Sequence, residues 1–189
     1  PYRRTKRRLL LFDYDGTLAP IRSRPEEAVP SHRLCELLRT LGTDAANRVV
    51  ICSGRDSGTL EKWFGGLPVS LAAEHGAFYK DRGAWRCNIR PASWDPKLSA
   101  LLEHFARKTP RSRIERKQTA LAWHYREADS WLGQLRAQQL VNALMPLCAR
   151  LNLHILQGDK VVEIKSPRFT KGSETLRLLR QERYDFILA

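Results

Sequence analysis

The run Leu9-Leu10-Leu11-Phe12 shows no alternation of polar and apolar side chains, and it leads directly into Asp13-Tyr14-Asp15-Gly16. A strand with one wet face alternates, whereas an unbroken apolar run suits a strand covered on both faces, as in a parallel sheet flanked by helices. Two further runs of this kind follow, within 48–55 (RVVICSGR) and 69–76 (VSLAAEHG). Between them lie helical patterns. Leu34, Leu37, Leu38 and Leu41 fall on one helical face, with Ser31 as N-cap and Gly42 as C-cap, and a second helix begins at the cap Asp56. Strand, helix, strand, helix, strand implies right-handed crossovers and a parallel sheet.

The middle of the chain has a different pattern. Residues 76–87 read as a hairpin turning at Asp81-Arg82-Gly83, and residues 94–110 as a helix with Asp95 at its cap, Pro96 in its first turn and Pro110 beyond its end. Two alternating strands, 112–117 and 119–126, precede a long amphipathic helix that Pro146 should kink or end. A last hairpin turns at Gly158-Asp159. This is an α+β insert over 78–165, dividing a core made of 1–77 and 166–189. The core pattern returns with a helix near Lys171 and the apolar strand of 184–189.

Ligands of a parallel sheet bind beyond the carboxyl ends of its strands. Three of those ends carry polar groups: Asp13 and Asp15, then Ser53-Gly54-Arg55, then Glu74-His75-Gly76. Residues two apart on extended backbone point the same way, so Asp13 and Asp15 are expected to face one cleft, with Gly16 permitting the turn. Two like charges at the end of a buried strand repel and resist desolvation. Such a pair can hold Mg²⁺, a hard cation that takes oxygen ligands, or can divide catalysis between a nucleophile and a proton donor. A serine hydroxyl followed by a glycine amide can cradle phosphate oxygens, as Ser53 and Gly54 would. Lys171, opening a helix, adds an ammonium to a helix N-terminus, and both favour an anion.

The bulk properties narrow the classes. The longest apolar run is far short of a membrane span, and the basic start of the chain is followed by too few apolar residues for a signal peptide, so a cytoplasmic protein is expected, with no membrane partner. The four cysteines form no C-x-x-C pair, and Cys35 and Cys52 read as small core residues. A net charge of +13 favours anionic partners. No zinc-finger spacing, RNA-binding aromatic motif or basic stripe accompanies it, so nucleic acid is not expected as a partner and a phosphorylated small molecule is.

Taken in order, DYDGTL at 13–18, ICSGR at 51–55 and FTKG at 169–172 resemble the first three motifs of the haloacid dehalogenase superfamily. The resemblance implies a Rossmann-like parallel core with the cap inserted between the second and third motifs. It further implies an aspartyl-phosphate formed on Asp13, proton transfer by Asp15, phosphate binding by Ser53, Gly54 and Lys171, and Mg²⁺ on Asp13 and the backbone carbonyl of Asp15. AEHG at 73–76, the Glu115-x-Lys117 pair, HYR at 124–126 and KVVEIKSP at 160–167 are similar to trehalose-6-phosphate phosphatases. In that family the insert is a mobile cap gripping sugar hydroxyls. The matching positions are Glu115, Lys117, Arg126 and Glu163, with Glu74, His75 and Gly76 on the core side. Glu115 and Lys117 also suit a solvated pair on one strand face, and Arg126 a surface cation. Glu163, flanked by apolar residues, either lies on an open sheet face or reaches for hydroxyls.

The expected activity is hydrolysis of trehalose 6-phosphate to trehalose and phosphate. The alternatives are another sugar phosphate, such as sucrose 6-phosphate or a hexose phosphate, and a catalytically silent domain partnering a trehalose-phosphate synthase. The superfamily's fourth motif, an acidic pair after the fourth parallel strand, does not follow 184–189, and Asp185 precedes that strand. The core is therefore expected to lack its C-terminal part, and the 189-residue chain to bind Mg²⁺ weakly and turn over little. The basic N-terminal segment resembles a linker from a synthase domain on the same polypeptide.

Overall fold

In the computed structural model, residues 2–22, 24–81, 83–87 and 94–189 are described. In chain order the elements are β1 (Arg8–Phe12), α1 (His32–Thr43), β2 (Asn47–Cys52), α2 (Ser57–Phe64), β3 (Ser70–Ala73), β4 (Phe78–Lys80) and β5 (Arg86–Cys87). There follow α3 (Pro96–Arg107), β6 (Arg113–Arg116), β7 (Ala120–His124), α4 (Ser130–Leu151), β8 (His154–Gly158), β9 (Val161–Lys165), α5 (Lys171–Gln181) and β10 (Phe186–Leu188). The chain divides into two compact units, Pro1–Ile89 with Phe169–Ala189, and Arg90–Arg168. None of the described helices is long and apolar enough to cross a membrane.

The first unit holds a sheet in the order β10-β1-β2-β3-β4-β5, in which β10, β1, β2 and β3 are parallel. Its two faces explain the unbroken apolar runs. Leu10, Val49, Ile51 and Leu71 pack with Leu38 of α1 and with Leu60 and Phe64 of α2. Leu9, Leu11, Val50 and Cys52 pack on the other face with Leu178 of α5. Asp185, just before β10, accepts the backbone N–H groups of Lys6 and Arg7 at 3.2 and 3.1 Å, which ties the entry of β10 to that of β1.

Several sequence expectations need correction. The hairpin of 78–87 belongs to the core sheet, because β4 pairs antiparallel with β3 and satisfies its open edge. The insert therefore begins later than residue 78. Of the hairpin's expected turn, Arg82 lies outside the described residues. Helix α1 does start at the Ser31 cap, whose side chain accepts the Leu34 N–H, but it runs through Gly42 to Thr43. A Cβ on Gly42 would stand 2.2 Å from the Pro68 carbonyl oxygen, so this glycine permits close packing rather than ending the helix. Leu37 lies at the margin of the apolar stripe and is exposed. β3 ends at Ala73, and Glu74, His75 and Gly76 form one tight turn with φ of 46°, 62° and 99°.

The second unit is an antiparallel sheet in the order β6-β7-β9-β8. Leu121, Trp123, Val162 and Ile164 of the sheet form one core with Leu98 and Leu102 of α3 and with Leu140 and Leu144 of α4. α4 passes through Pro146 and continues to Leu151, ending at Asn152 in the left-handed conformation. Burial on both sides of the proline, at Leu144 and Cys148, outweighs the one backbone bond it cannot donate. The last hairpin turns one residue later than expected, because Gly158 still pairs with Val161 and Lys160 takes the positive φ of 60°.

Candidate active site

Alternation along 13–15 separates the three side chains. Tyr14 is fully buried between the two acids; its hydroxyl donates to the Ala28 carbonyl at 2.5 Å and its ring packs on Trp63 and Phe64. Burial is the main reason its phenol is pushed up to about 12. Asp13 and Asp15 remain partly exposed beyond the end of β1, where Gly16 turns with φ 83° and its N–H reaches the Ala19 carbonyl at 2.8 Å.

Each carboxylate has its own cation, which answers the electrostatic cost of placing two acids at a strand end. Lys171 Nζ stands 2.5 Å from Asp13 Oδ2, and the Tyr14 N–H donates to Asp13 Oδ1 at 2.8 Å. Lys171 is the first residue of α5. That helix start is fixed by a capping box, in which Thr170 Oγ1 accepts the Ser173 N–H and Ser173 Oγ accepts the Thr170 N–H. Asp15 is held by Arg55, whose Nε and NH2 donate to Oδ2 and Oδ1 at 3.0 and 2.6 Å. Sequence reading passed over Arg55, since the two residues are 40 positions apart. The available signal was an arginine directly after the Ser53-Gly54 turn.

Ser53 is fully buried at the end of β2, and its Oγ accepts the Arg55 N–H at 3.2 Å. The tight turn after β3 is bound to the same loop, because the His75 N–H donates to the Ser53 carbonyl and the Glu74 N–H to the Arg55 carbonyl, both at 2.9 Å. The His75 ring lies against Gly54, where an added Cβ would come within 2.9 Å of Nε2. Gly76 packs on α5 instead, and a Cβ there would stand 2.8 Å from Glu174 Cβ. Thus Asp13 with Lys171, Asp15 with Arg55, and Ser53 and Gly54 with His75 stand at neighbouring ends of the parallel strands. Glu74 and Gly76 serve the turn that carries His75.

The second unit carries its own polar cluster. Glu115, Ala122 and Glu163 are cross-strand partners on β6, β7 and β9, so the two acids flank a small residue in one row. They lie on the sheet face opposite Leu121, Trp123 and Ile164, as period-two alternation requires. Lys117 Nζ stands 3.5 Å from Glu163 Oε1 and 3.9 Å from Glu115 Oε2, and His124 Nε2 is 2.8 Å from Glu115 Oε2. Burial pushes the Glu115 carboxyl up, but the His124 hydrogen bond and the charge of Lys117 more than offset this and leave it below the usual carboxylate range. Arg126 NH2 donates to the carbonyl and carboxylate of Asp159 at 2.7 and 2.8 Å, bracing the last hairpin turn.

Comparison with known proteins agrees with the fold and with the family resemblance. A family profile described as trehalose-phosphatase matches residues 11–188. The chain is 45% identical over 185 residues to a trehalose-phosphatase of Zygosaccharomyces rouxii, covering 94% of this chain and 20% of that protein. It is 41% identical over 189 residues to a bifunctional trehalose-6-phosphate synthase/phosphatase of Thermoproteus tenax, covering 98% of this chain and 26% of that one. The solved structure of the C-terminal domain of Candida albicans trehalose-6-phosphate phosphatase superposes with a TM-score of 0.92 at 38% identity, over 99% of this chain and 70% of that structure. The chain spans about a fifth to a quarter of the length of the curated relatives it matches. By profile, identity and structure together, the chain belongs to the trehalose-phosphatase family.

Proposed function

We propose that this chain hydrolyses trehalose 6-phosphate to trehalose and phosphate. The observation that carries the proposal is the Asp13 carboxylate, held 2.5 Å from the Lys171 ammonium at the carboxyl end of the parallel sheet. An Asp13 oxygen attacks phosphorus, and the bond from phosphorus to the sugar oxygen breaks. Asp15 gives its proton to that departing oxygen. Water then attacks the phosphoryl group on Asp13, Asp15 takes the proton, and phosphate leaves with the Asp13 carboxylate restored. Ser53, the Gly54 amide and Lys171 neutralise and orient the phosphoryl oxygens.

Mg²⁺ is part of the proposal. The donors fit in kind, since the carboxylate of Asp13 and the backbone carbonyl of Asp15 are hard oxygens. Among the described residues no group of three or more His, Cys, Asp or Glu side chains is placed to hold a metal ion. When bound, the ion neutralises charge on the phosphoryl group. For the sugar we propose Glu115, Lys117 and Glu163, whose crossed ion pairs can be exchanged for hydroxyl hydrogen bonds. Arg126 joins them if its bond to Asp159 is released. A cytoplasmic setting and a synthase domain on the same polypeptide complete the proposal; the bifunctional Thermoproteus tenax relative supports the second.

The test is phosphate release by the full-length gene product with Mg²⁺, from trehalose 6-phosphate beside sucrose 6-phosphate and glucose 6-phosphate. The expected result is release from trehalose 6-phosphate, abolished in Asp13→Asn. Preference for another sugar would overturn the assignment of Glu115, Lys117 and Glu163, and inertness toward all three would leave a silent domain.

A further inference from the structure

Arg55 is clamped more firmly than an arginine that merely neutralises an acid. Its Nε and NH2 engage both oxygens of Asp15, its NH1 donates to the Pro25 carbonyl at 2.8 Å, and its own backbone N–H donates to Ser53 Oγ. The guanidinium lies 4.6 Å from the centre of the Trp63 ring and 5.5 Å from that of Tyr14. Only 11% of its side chain is exposed. A planar fork held on a carbonyl and two aromatic faces cannot rotate freely, so the carboxylate that it grips by both oxygens is fixed in plane and direction. A lysine in its place could hold one oxygen and would leave the other free to turn.

We infer that Arg55 is the positioning residue for Asp15: it fixes the plane of the carboxyl group, so that a proton taken up on the oxygen lone pair facing away from the guanidinium is delivered in one direction. In this role Arg55 acts through Asp15, whose two oxygens its guanidinium holds. The inference rests on the phosphatase reading above. A proton donor matters where the leaving group is a poor one, as a sugar alkoxide is, and is dispensable for p-nitrophenolate, which departs as a stable anion.

Leaving-group release is therefore measured in a single turnover with enzyme in excess, which isolates the first half-reaction. The full-length protein, Arg55→Met and Arg55→Lys are each given trehalose 6-phosphate and p-nitrophenyl phosphate. Arg55→Met is expected to slow trehalose release by about 100-fold, the low end of what a positioned proton donor contributes, while p-nitrophenolate is released at the wild-type rate. Arg55→Lys, with one donor on one oxygen, is expected to recover part of the trehalose rate. Equal slowing on both substrates in both variants would mean a merely structural role and would overturn the inference, as would wild-type trehalose release from Arg55→Met. A wild-type protein that releases neither alcohol would overturn the phosphatase reading itself, and this inference with it.

Discussion

Gly76 and Gly83 both have positive φ, at 99° and 86°, yet their surroundings differ completely. A Cβ on Gly83 would meet nothing within 4 Å among the described residues. On Gly76 it would stand 2.8 Å from Glu174 Cβ and 3.3 Å from its Cγ. Glu174 cannot give way, because it is buried on α5 and its carboxylate is held by Arg177 at 2.6 and 2.8 Å. Alanine at either site takes the backbone cost of a disfavoured φ, roughly 1–3 kcal/mol. At Gly76 an overpacking cost of about 1–3 kcal/mol adds to it. Gly76→Ala should thus lose roughly 2–6 kcal/mol, a large part of the ~5–15 kcal/mol that holds a domain folded. Urea unfolding of the wild type, Gly83→Ala and Gly76→Ala measures the difference directly. Relief of the clash by a shift of α5 would also carry Lys171 away from Asp13, so Gly76→Ala should lose phosphatase activity that Gly83→Ala keeps. Equal loss of stability in the two variants, or a loss at Gly76 within the ~0.5 kcal/mol of an ordinary surface change, would refute the reasoning.

Three further outcomes follow from the same geometry. Tyr14→Phe leaves the buried Ala28 carbonyl without its donor and should cost about 1–3 kcal/mol in a denaturant melt; an unchanged midpoint would mean that water replaces the hydroxyl. Burial raises the Asp56 carboxyl, but its bonds from the Thr59 hydroxyl and amide outweigh this and hold it below its ordinary value. Its contribution is therefore present above the unfolded pKa of ~3.9 and lost as pH falls through the lower folded value, so Asp56→Asn should flatten the acid side of the stability curve, and superimposable curves would contradict that. Glu163→Gln removes one charge from the Lys117 pair and should raise KM for trehalose 6-phosphate while leaving p-nitrophenyl phosphate turnover unchanged; a matching loss on both substrates would assign Glu163 to the fold instead.

Local chemistry made much of this legible. The unbroken run at Leu9–Leu11 announced a strand covered on both faces, and the structure divides it as expected, Leu9 and Leu11 toward α5 and Leu10 toward α1 and α2. Caps at Ser31, Asp56 and Asp95 carry their meaning within four residues, and each side chain accepts the amide that its position implies. What escaped depends on residues far apart in sequence. The edge that the hairpin of 78–87 joins is decided by the free donors of β3, which sequence patterning does not reveal. Gly42 looked like a helix terminator because Pro68, the neighbour that requires a glycine there, lies on another segment. Pro146 is tolerated because burial continues on both sides of it. The grip of Arg55 on Asp15 likewise exists only once two strand ends are neighbours.

The central claim is that Asp13 is the nucleophile of a trehalose 6-phosphate phosphatase. Rapid acid quenching of the full-length protein during turnover, followed by mass spectrometry of the peptide spanning Asp13, tests it most directly. A phosphoryl group on Asp13 in the wild type, absent from Asp13→Asn together with trehalose release, is the predicted result. Sustained hydrolysis by Asp13→Asn, or a phosphoryl group found on another residue, would contradict the account.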